Sequence, residues 1–174
     1  MKSLFILFIC VSTFLSAQVQ NTFPYKNLDL SEQLLNKDTF YEGQANKDKR
    51  YKVKFESVKK DVQQPERYLV VGVTDFEGTR QEFQGEIIFK EKFRVRDSVE
   101  GILLFGDFNF KEKPEQLSGV FIGKIRVQTD ETLVKTNMAG NVTFKGDLKK
   151  EDGKTDQLWF GNFHHYDIDK VIFR

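Results

Sequence analysis

Five windows of the sequence share a spacing in which a glycine is flanked, two positions away on either side, by apolar residues. Because side chains in a β-strand alternate faces with a period of two, each glycine and its two apolar flanks would share one face. Glycine weakens a strand interior, so its recurrence there indicates a sharp bend or room for a neighbouring ring. The windows centre on Gly85, Gly106, Gly123, Gly146 and Gly161.

The segment from Phe83 to Val95 shows the alternation most clearly. Its odd positions are mostly apolar, whereas its even positions are mostly charged or polar. One apolar and one wet face are typical of antiparallel sheets, since parallel sheets are apolar on both faces. Glu91 breaks the pattern between Phe89 and Phe93, and we expect a β-bulge to turn it outward.

Turn signals such as Glu77-Gly78 and Asp152-Gly153 separate the alternating segments. The pattern predicts an all-β fold, an antiparallel meander of about eight strands that forms a small barrel or a strongly coiled sheet. We also expect a short N-terminal helix over Leu28–Asn36, capped by Asp29 and suited to closing one end. The predicted strands lie near 40–46, 50–58, 67–76, 80–96, 101–112, 118–129, 137–149 and 156–174.

The first 17 residues have the features of a secretory signal peptide. Lys2 precedes an apolar run over Leu4–Leu15, and Ser16-Ala17 provides small residues at a cleavage site. We therefore predict a signal peptide over 1–17, an arm with the short helix over 18–39, and a single β domain over 40–174. The expected location is outside the cytoplasm: the periplasm, the outer surface or the medium.

The composition of the predicted mature chain excludes several classes of function. The one cysteine, Cys10, lies in the signal, so no disulfide or thiol chemistry is expected. Without Lys2 the chain has 26 basic and 26 acidic residues, which gives no indication of nucleic-acid binding. No later segment is long and apolar enough to predict a transmembrane helix.

The candidate chemistry centres on the two histidines, His164 and His165. Adjacent strand residues point to opposite faces, so a single strand cannot present both imidazoles to one ion. His165 and Asp167 are the best candidates for metal ligands, but we expect no metal, no cofactor and no catalytic residues. No serine has the surroundings of a catalytic triad, and no phosphate-binding loop is present.

Two resemblances accompany these patterns. The Phe-x-Gly-x-Ile spelling at Phe83–Ile87 and Phe121–Ile125 resembles the first half of MORN-type β-hairpin repeats, which implies an antiparallel meander used for interaction. The Ser-Ala-Gln junction and the Phe-, Lys- and Asn-rich body resemble exported proteins of the Bacteroidota. Asp97-Ser98-Val99 resembles the O-glycosylation signal of such exports, which implies Ser98 as the modified residue.

Three functions are compatible with these patterns. The first is an exported, non-enzymatic binding or interaction protein of the cell envelope, whose partner is an unknown protein. The second is a lipocalin-like carrier of a small apolar ligand. An eight-stranded outer-membrane barrel ranks third, because girdle-like Tyr and Trp residues are few. The first two differ in whether the aromatic interior is filled or hollow, and large phenylalanines favour a filled one.

Overall fold

A computed structural model describes residues 27–37, 39–46, 49–94, 101–113, 118–130, 133–134 and 140–162. Each strand pairs antiparallel with the next, and the first also pairs with the last, so the sheet closes into a barrel. This confirms the predicted all-β fold and selects a barrel over an open coiled sheet. The elements are α1 (Ser31–Leu35), β1 (Tyr41–Ala45), β2 (Lys49–Lys60), β3 (Arg67–Phe76), β4 (Thr79–Arg94), β5 (Gly101–Glu112), β6 (Gly119–Asp130), β7 (Asn141–Lys150) and β8 (Thr155–Gly161).

Most strand boundaries lie within two residues of the predicted ones. The eighth strand was expected to continue to residue 174, but β8 ends at Gly161 and residues 163–174 lie outside the described part. Residues 135–139, at the expected start of the seventh strand, are outside it as well, as are the predicted signal peptide and Cys10.

Alternation places the apolar side chains inside the barrel. In β2, Tyr51, Val53 and Phe55 are buried, whereas Lys52 and Glu56 are exposed. The expected bulge in β4 is present, because the pairing with β5 shifts between Phe89 and Glu91 and leaves Glu91 exposed. A second shift in β2, between Phe55 and Ser57, was not predicted.

The helix α1 is shorter than the predicted Leu28–Asn36 segment. Asp29 accepts a 2.9 Å hydrogen bond from the backbone nitrogen of Ser31, and Leu30 is not helical (φ −101°, ψ 7°), so a turn precedes the helix. Asn36, in the left-handed conformation, ends it. Leu30 and Leu34 are fully buried against the core, so α1 closes one end of the barrel, as expected.

The glycines of the repeat follow the expected face with one exception. Gly85, Gly106, Gly123 and Gly146 lie on the inward parity between buried residues. Gly161 does not: in β8 Phe160 is buried and Trp159 is exposed, so Gly161 falls on the outward parity. The inward assignment of Gly161 was wrong, because the inward side of β8 runs through the even positions Asp156, Leu158 and Phe160.

Of the two expected reasons for these glycines, a sharp bend or room for a neighbouring ring, the second is wrong at Gly85 and Gly123. A Cβ added at Gly123 would lie 2.2 Å from the carbonyl oxygen of Lys145, and one at Gly85 would lie 2.0 Å from that of Asn109. The nearest atoms are therefore backbone atoms of the next strand and not aromatic rings. Glycine is needed here because two strands approach more closely than a Cβ allows.

Candidate functional site

Aromatic rings fill the described interior of the barrel. Tyr51 on β2 and Phe121 on β6 lie on opposite walls, four strands apart, yet their ring centroids are only 5.6 Å apart. Phe144 on β7 stacks on Phe160 at 4.5 Å and meets Phe55 on β2 edge-on at 5.7 Å. Rings from opposite walls thus touch across the axis, and this region is a packed core.

The barrel end away from α1 contains a buried polar cluster. Glu112, 5% exposed at the end of β5, accepts a 2.7 Å hydrogen bond from the hydroxyl of Thr74. With the Gln81 amide oriented to donate, its nitrogen lies 2.7 Å from the other carboxylate oxygen of Glu112. The backbone N–H of Gly119 donates to the same carboxylate. This carboxylate therefore joins β3, β4, β5 and β6.

Burial raises the pKa of Glu112 above its ordinary value, although the hydrogen bonds from Thr74 and Gly119 and the charge of Lys150 oppose the increase. Tyr51, only 1% exposed, points its hydroxyl into this region. No described atom forms a hydrogen bond of normal geometry with that hydroxyl. Burial and the charge of Glu112 hold its pKa well above the ordinary value, and the nearby Thr74 hydroxyl partly offsets this.

The rim of the same end carries charged side chains. Lys150 forms an ion pair with Asp156, and together with Asn46 it keeps the pKa of that carboxyl below its ordinary value. The ammonium groups of Lys49 and Lys150 lie 5.3 and 5.8 Å from the centre of the Phe76 ring. The charge of Lys150 also acts on the polar cluster, since it favours the ionised form of Glu112.

A second candidate site lies on the outer surface, across strands β3 to β6. Two adjoining depressions of about 570 and 270 Å³ share Glu86 and Asn109 as lining residues. We call them together the outer groove. Its outward-facing lining residues are Arg67, Leu69, Val71, Gln84, Glu86, Ile88, Asp107, Asn109, Lys111, Val120, Ile122 and Lys124.

Most of the charges in the outer groove are paired. Arg67 contacts Glu86 at 2.7 Å and Asp61 at 3.6 Å. Lys90 and Lys124 both donate to Asp107, and these bonds lower the pKa of its carboxyl. Lys111 differs from them. Within the described part of the chain, its ammonium group has no carboxylate partner and no hydrogen bond.

The comparisons gave no relative. No family model, curated protein or solved structure matches this chain.

The chemical candidates predicted from the sequence fall outside the described residues. His165, Asp167 and Ser98 are outside the described residues, so their expected roles stay predictions. Among the residues that the structure describes, no three His, Cys, Asp or Glu side chains form a group able to hold a metal ion. No helix among the described residues is long and apolar enough to cross a bilayer.

Sequence reasoning missed both the polar cluster and the outer groove, although each leaves a signal. Glu112 continues the inward parity of Phe108 and Phe110, which predicts a buried acid at the strand end. Leu69 and Val71 are apolar on the outward parity of β3, where charged residues would be typical. The sequence alone does not show that these outward residues and those of β6 border one depression.

Proposed function

We propose that this chain is an exported, non-enzymatic binding protein that holds a partner protein in the outer groove. One observation carries the proposal: rings from opposite walls meet across the described interior, whereas apolar side chains are exposed around a depression outside. A partner would therefore bind to the outer surface of the barrel and not in its interior.

The exposed apolar residues support this choice. Leu69, Val71 and Ile122 are 45%, 44% and 41% exposed, and all three line the groove. Exposed apolar side chains grouped around one depression, with polar groups between them, are suited to an interaction site. On β2, by contrast, the outward residues Lys52 and Glu56 are charged and exposed.

A lipocalin-like carrier is the second candidate, and the Tyr51 hydroxyl is the observation that favours it. That hydroxyl lies beside Glu112 at the end that α1 leaves uncovered, where the polar group of a ligand could meet it. The contact between the Tyr51 and Phe121 rings opposes this function, since a ligand would have to separate them. An outer-membrane barrel is disfavoured because the charged residues of β2 point outward, where lipid would require apolar ones.

Recovery of a partner from the native envelope tests the proposal. The tagged chain from residue 18 onward is compared with Val71→Glu, which places a charge in the groove, and with Lys145→Glu, an exposed change on β7. We expect a partner that is retained by the parent and by Lys145→Glu but lost by Val71→Glu. Equal recovery by all three proteins would refute the outer groove as the contact surface.

An apolar fluorescent probe tests the alternative. The carrier hypothesis requires saturable binding that Tyr51→Phe or Glu112→Gln weakens and Val71→Glu does not. The interaction hypothesis expects no such binding inside the barrel.

A further inference from the structure

The pairing register shows how the outer groove is built. Val71, Gln84, Lys111 and Val120 form one row across β3, β4, β5 and β6, and Leu69, Glu86, Asn109 and Ile122 form the next. Each row therefore begins and ends with an aliphatic residue and has polar residues between them. Along these two rows the groove has aliphatic walls on β3 and β6 and a polar floor on β4 and β5, whereas the adjoining row has Arg67 and Lys124 at its ends and Ile88 in the floor.

The dimensions of the groove suit one extended chain. Three strand spacings separate the walls, or roughly 14 Å, and the lining of β3 from Arg67 to Val71 extends for about 13 Å. An extended polypeptide of about four residues has this length, and its side chains alternate to the left and right. Short aliphatic side chains on its two sides would reach the two walls.

The floor offers hydrogen-bonding groups to a peptide backbone. The side chains of Gln84 and Asn109 are exposed amides, and each amide can both donate and accept. A backbone amide has the same pair of groups, so it can be matched without burying a charge. Among the groove residues that the structure describes, no outward-facing aromatic ring is available to stack on a sugar.

The charged residues of the groove indicate the charge of the ligand. Arg67 and Glu86 neutralise each other, and Asp107 already has two ammonium partners. Lys111 lies in the floor between Gln84 and Val120 as an uncompensated positive charge. A carboxylate on the ligand would complement it, whereas a second cation would be repelled.

We propose that the outer groove binds an extended segment of a partner protein that has aliphatic side chains on both edges and one carboxylate facing Lys111. This inference rests on the proposed function, because it names the chemistry of the partner at the same surface. The carboxylate belongs to an Asp or Glu side chain of that segment.

An array of acetylated and amidated hexapeptides tests the inference, with the chain from residue 18 onward as the binding protein. We expect enrichment of peptides that combine Val, Ile or Leu at successive positions, whose side chains point to opposite edges, with Asp or Glu. Lys111→Glu should reverse the preference to Lys or Arg, a change that a merely structural role would not produce. Lys145→Glu, an exposed charge reversal on β7, should leave the preference unchanged.

The dissociation constants of the best peptide for the parent and the variants measure the contribution of the contact with Lys111. Lys111→Ala should weaken binding by about fivefold, as expected for one exposed ion pair, and the loss should shrink at high salt. Replacing the acidic residue of the peptide by its amide should produce a similar loss. When the two changes are combined, the total loss should be no larger than for either change alone, because both remove the same contact.

The outcomes separate the inference from the proposed function. If Val71→Glu abolishes partner recovery from the envelope but Lys111→Glu leaves the peptide preference unchanged, the groove remains a contact surface and the carboxylate contact is refuted. Binding of a polysaccharide or of phospholipid vesicles that depends on Val71, with no peptide enriched, overturns the peptide class. Peptide binding that is insensitive to Val71→Glu overturns both.

Discussion

The hydroxyl of Tyr41 donates a 2.6 Å hydrogen bond to the carbonyl oxygen of Leu34, and this bond joins the first strand of the barrel to the C-terminal end of α1. Both residues are fully buried. The last carbonyl groups of a helix have no partner within it, so α1 depends on the barrel to satisfy them. Lys54 donates to the carbonyl groups of Asn36 and Thr39, in the segment that follows α1.

Replacing Tyr41 by Phe should therefore destabilise the protein. The carbonyl oxygen of Leu34 would remain buried without this donor, which costs about 1–3 kcal/mol. Tyr51→Phe also removes a phenolic hydroxyl, but this hydroxyl has no hydrogen-bond partner of normal geometry. We therefore expect the free energy of unfolding to stay the same or to rise. Urea unfolding of the two variants measures the difference, and equal losses would contradict the contrast between these hydroxyls.

Glu112 should make stability depend on pH. Its pKa is raised in the folded state, so between the ordinary value of 4.5 and the raised value the folded protein holds a proton that the unfolded chain has lost. The contribution of this carboxyl to the free energy of unfolding therefore falls as the pH rises through that window, by at most about 1.4 kcal/mol per pH unit.

Glu112→Gln should remove this component. The oxygen of the new amide can still accept the hydrogen bond from the backbone of Gly119, and its nitrogen can donate to the Thr74 hydroxyl. That hydroxyl can in turn donate to the carbonyl oxygen of Gln81, which lies 3.3 Å away. Unfolding is measured at several pH values, with the exposed Glu56→Gln as the control. The free energy of unfolding of Glu112→Gln minus that of the parent should increase as the pH rises. A difference that does not vary with pH would refute a raised pKa.

Gly123→Val tests the close approach of β6 and β7. The new Cβ would lie 2.2 Å from the carbonyl oxygen of Lys145 and 2.6 Å from the Cα of Gly146, so the strands must separate. We expect a loss of roughly 1–3 kcal/mol or more, although Val is the better strand former. Lys124→Val, at the adjacent exposed position, should change stability by less than about 1 kcal/mol, since Asp107 keeps Lys90. A stabilised Gly123→Val protein would refute the close approach.

The proposed export makes a further prediction. Protein recovered from the cell envelope should begin at or near Gln18, because Ser16-Ala17 supplies the small residues that signal peptidases require. N-terminal sequencing and intact mass measure this directly. Ala17→Phe, which removes the small residue, should leave the precursor uncleaved at that junction. Envelope protein that still begins at Met1 would show that the first 17 residues are not a cleaved signal.

Local patterns in the sequence predicted most of the strands. The alternation of Tyr51, Val53 and Phe55 with charged residues identified β2, and the position of Glu91 on the apolar parity identified a bulge. The Glu77-Gly78 turn was also predicted from adjacent residues. Both have positive φ values (50° and 90°), as a type I′ two-residue hairpin requires. The predicted start of α1 was too early. An aspartate that accepts a hydrogen bond from the backbone two residues later, as Asp29 does, looks the same in the sequence as one that caps a helix.

Antiparallel strands with one apolar face could be predicted from the sequence, because a period of two and turn residues act over a few neighbouring positions. Three contacts could not: the pairing of β1 with β8, the meeting of Tyr51 and Phe121 across the axis, and the hydrogen bond that Glu112 accepts from Thr74. These contacts join residues 38 or more positions apart in the chain, and they depend on how the strands tilt and close. The outer groove is of the same kind, since its two aliphatic walls come from strands that are not adjacent in the sheet.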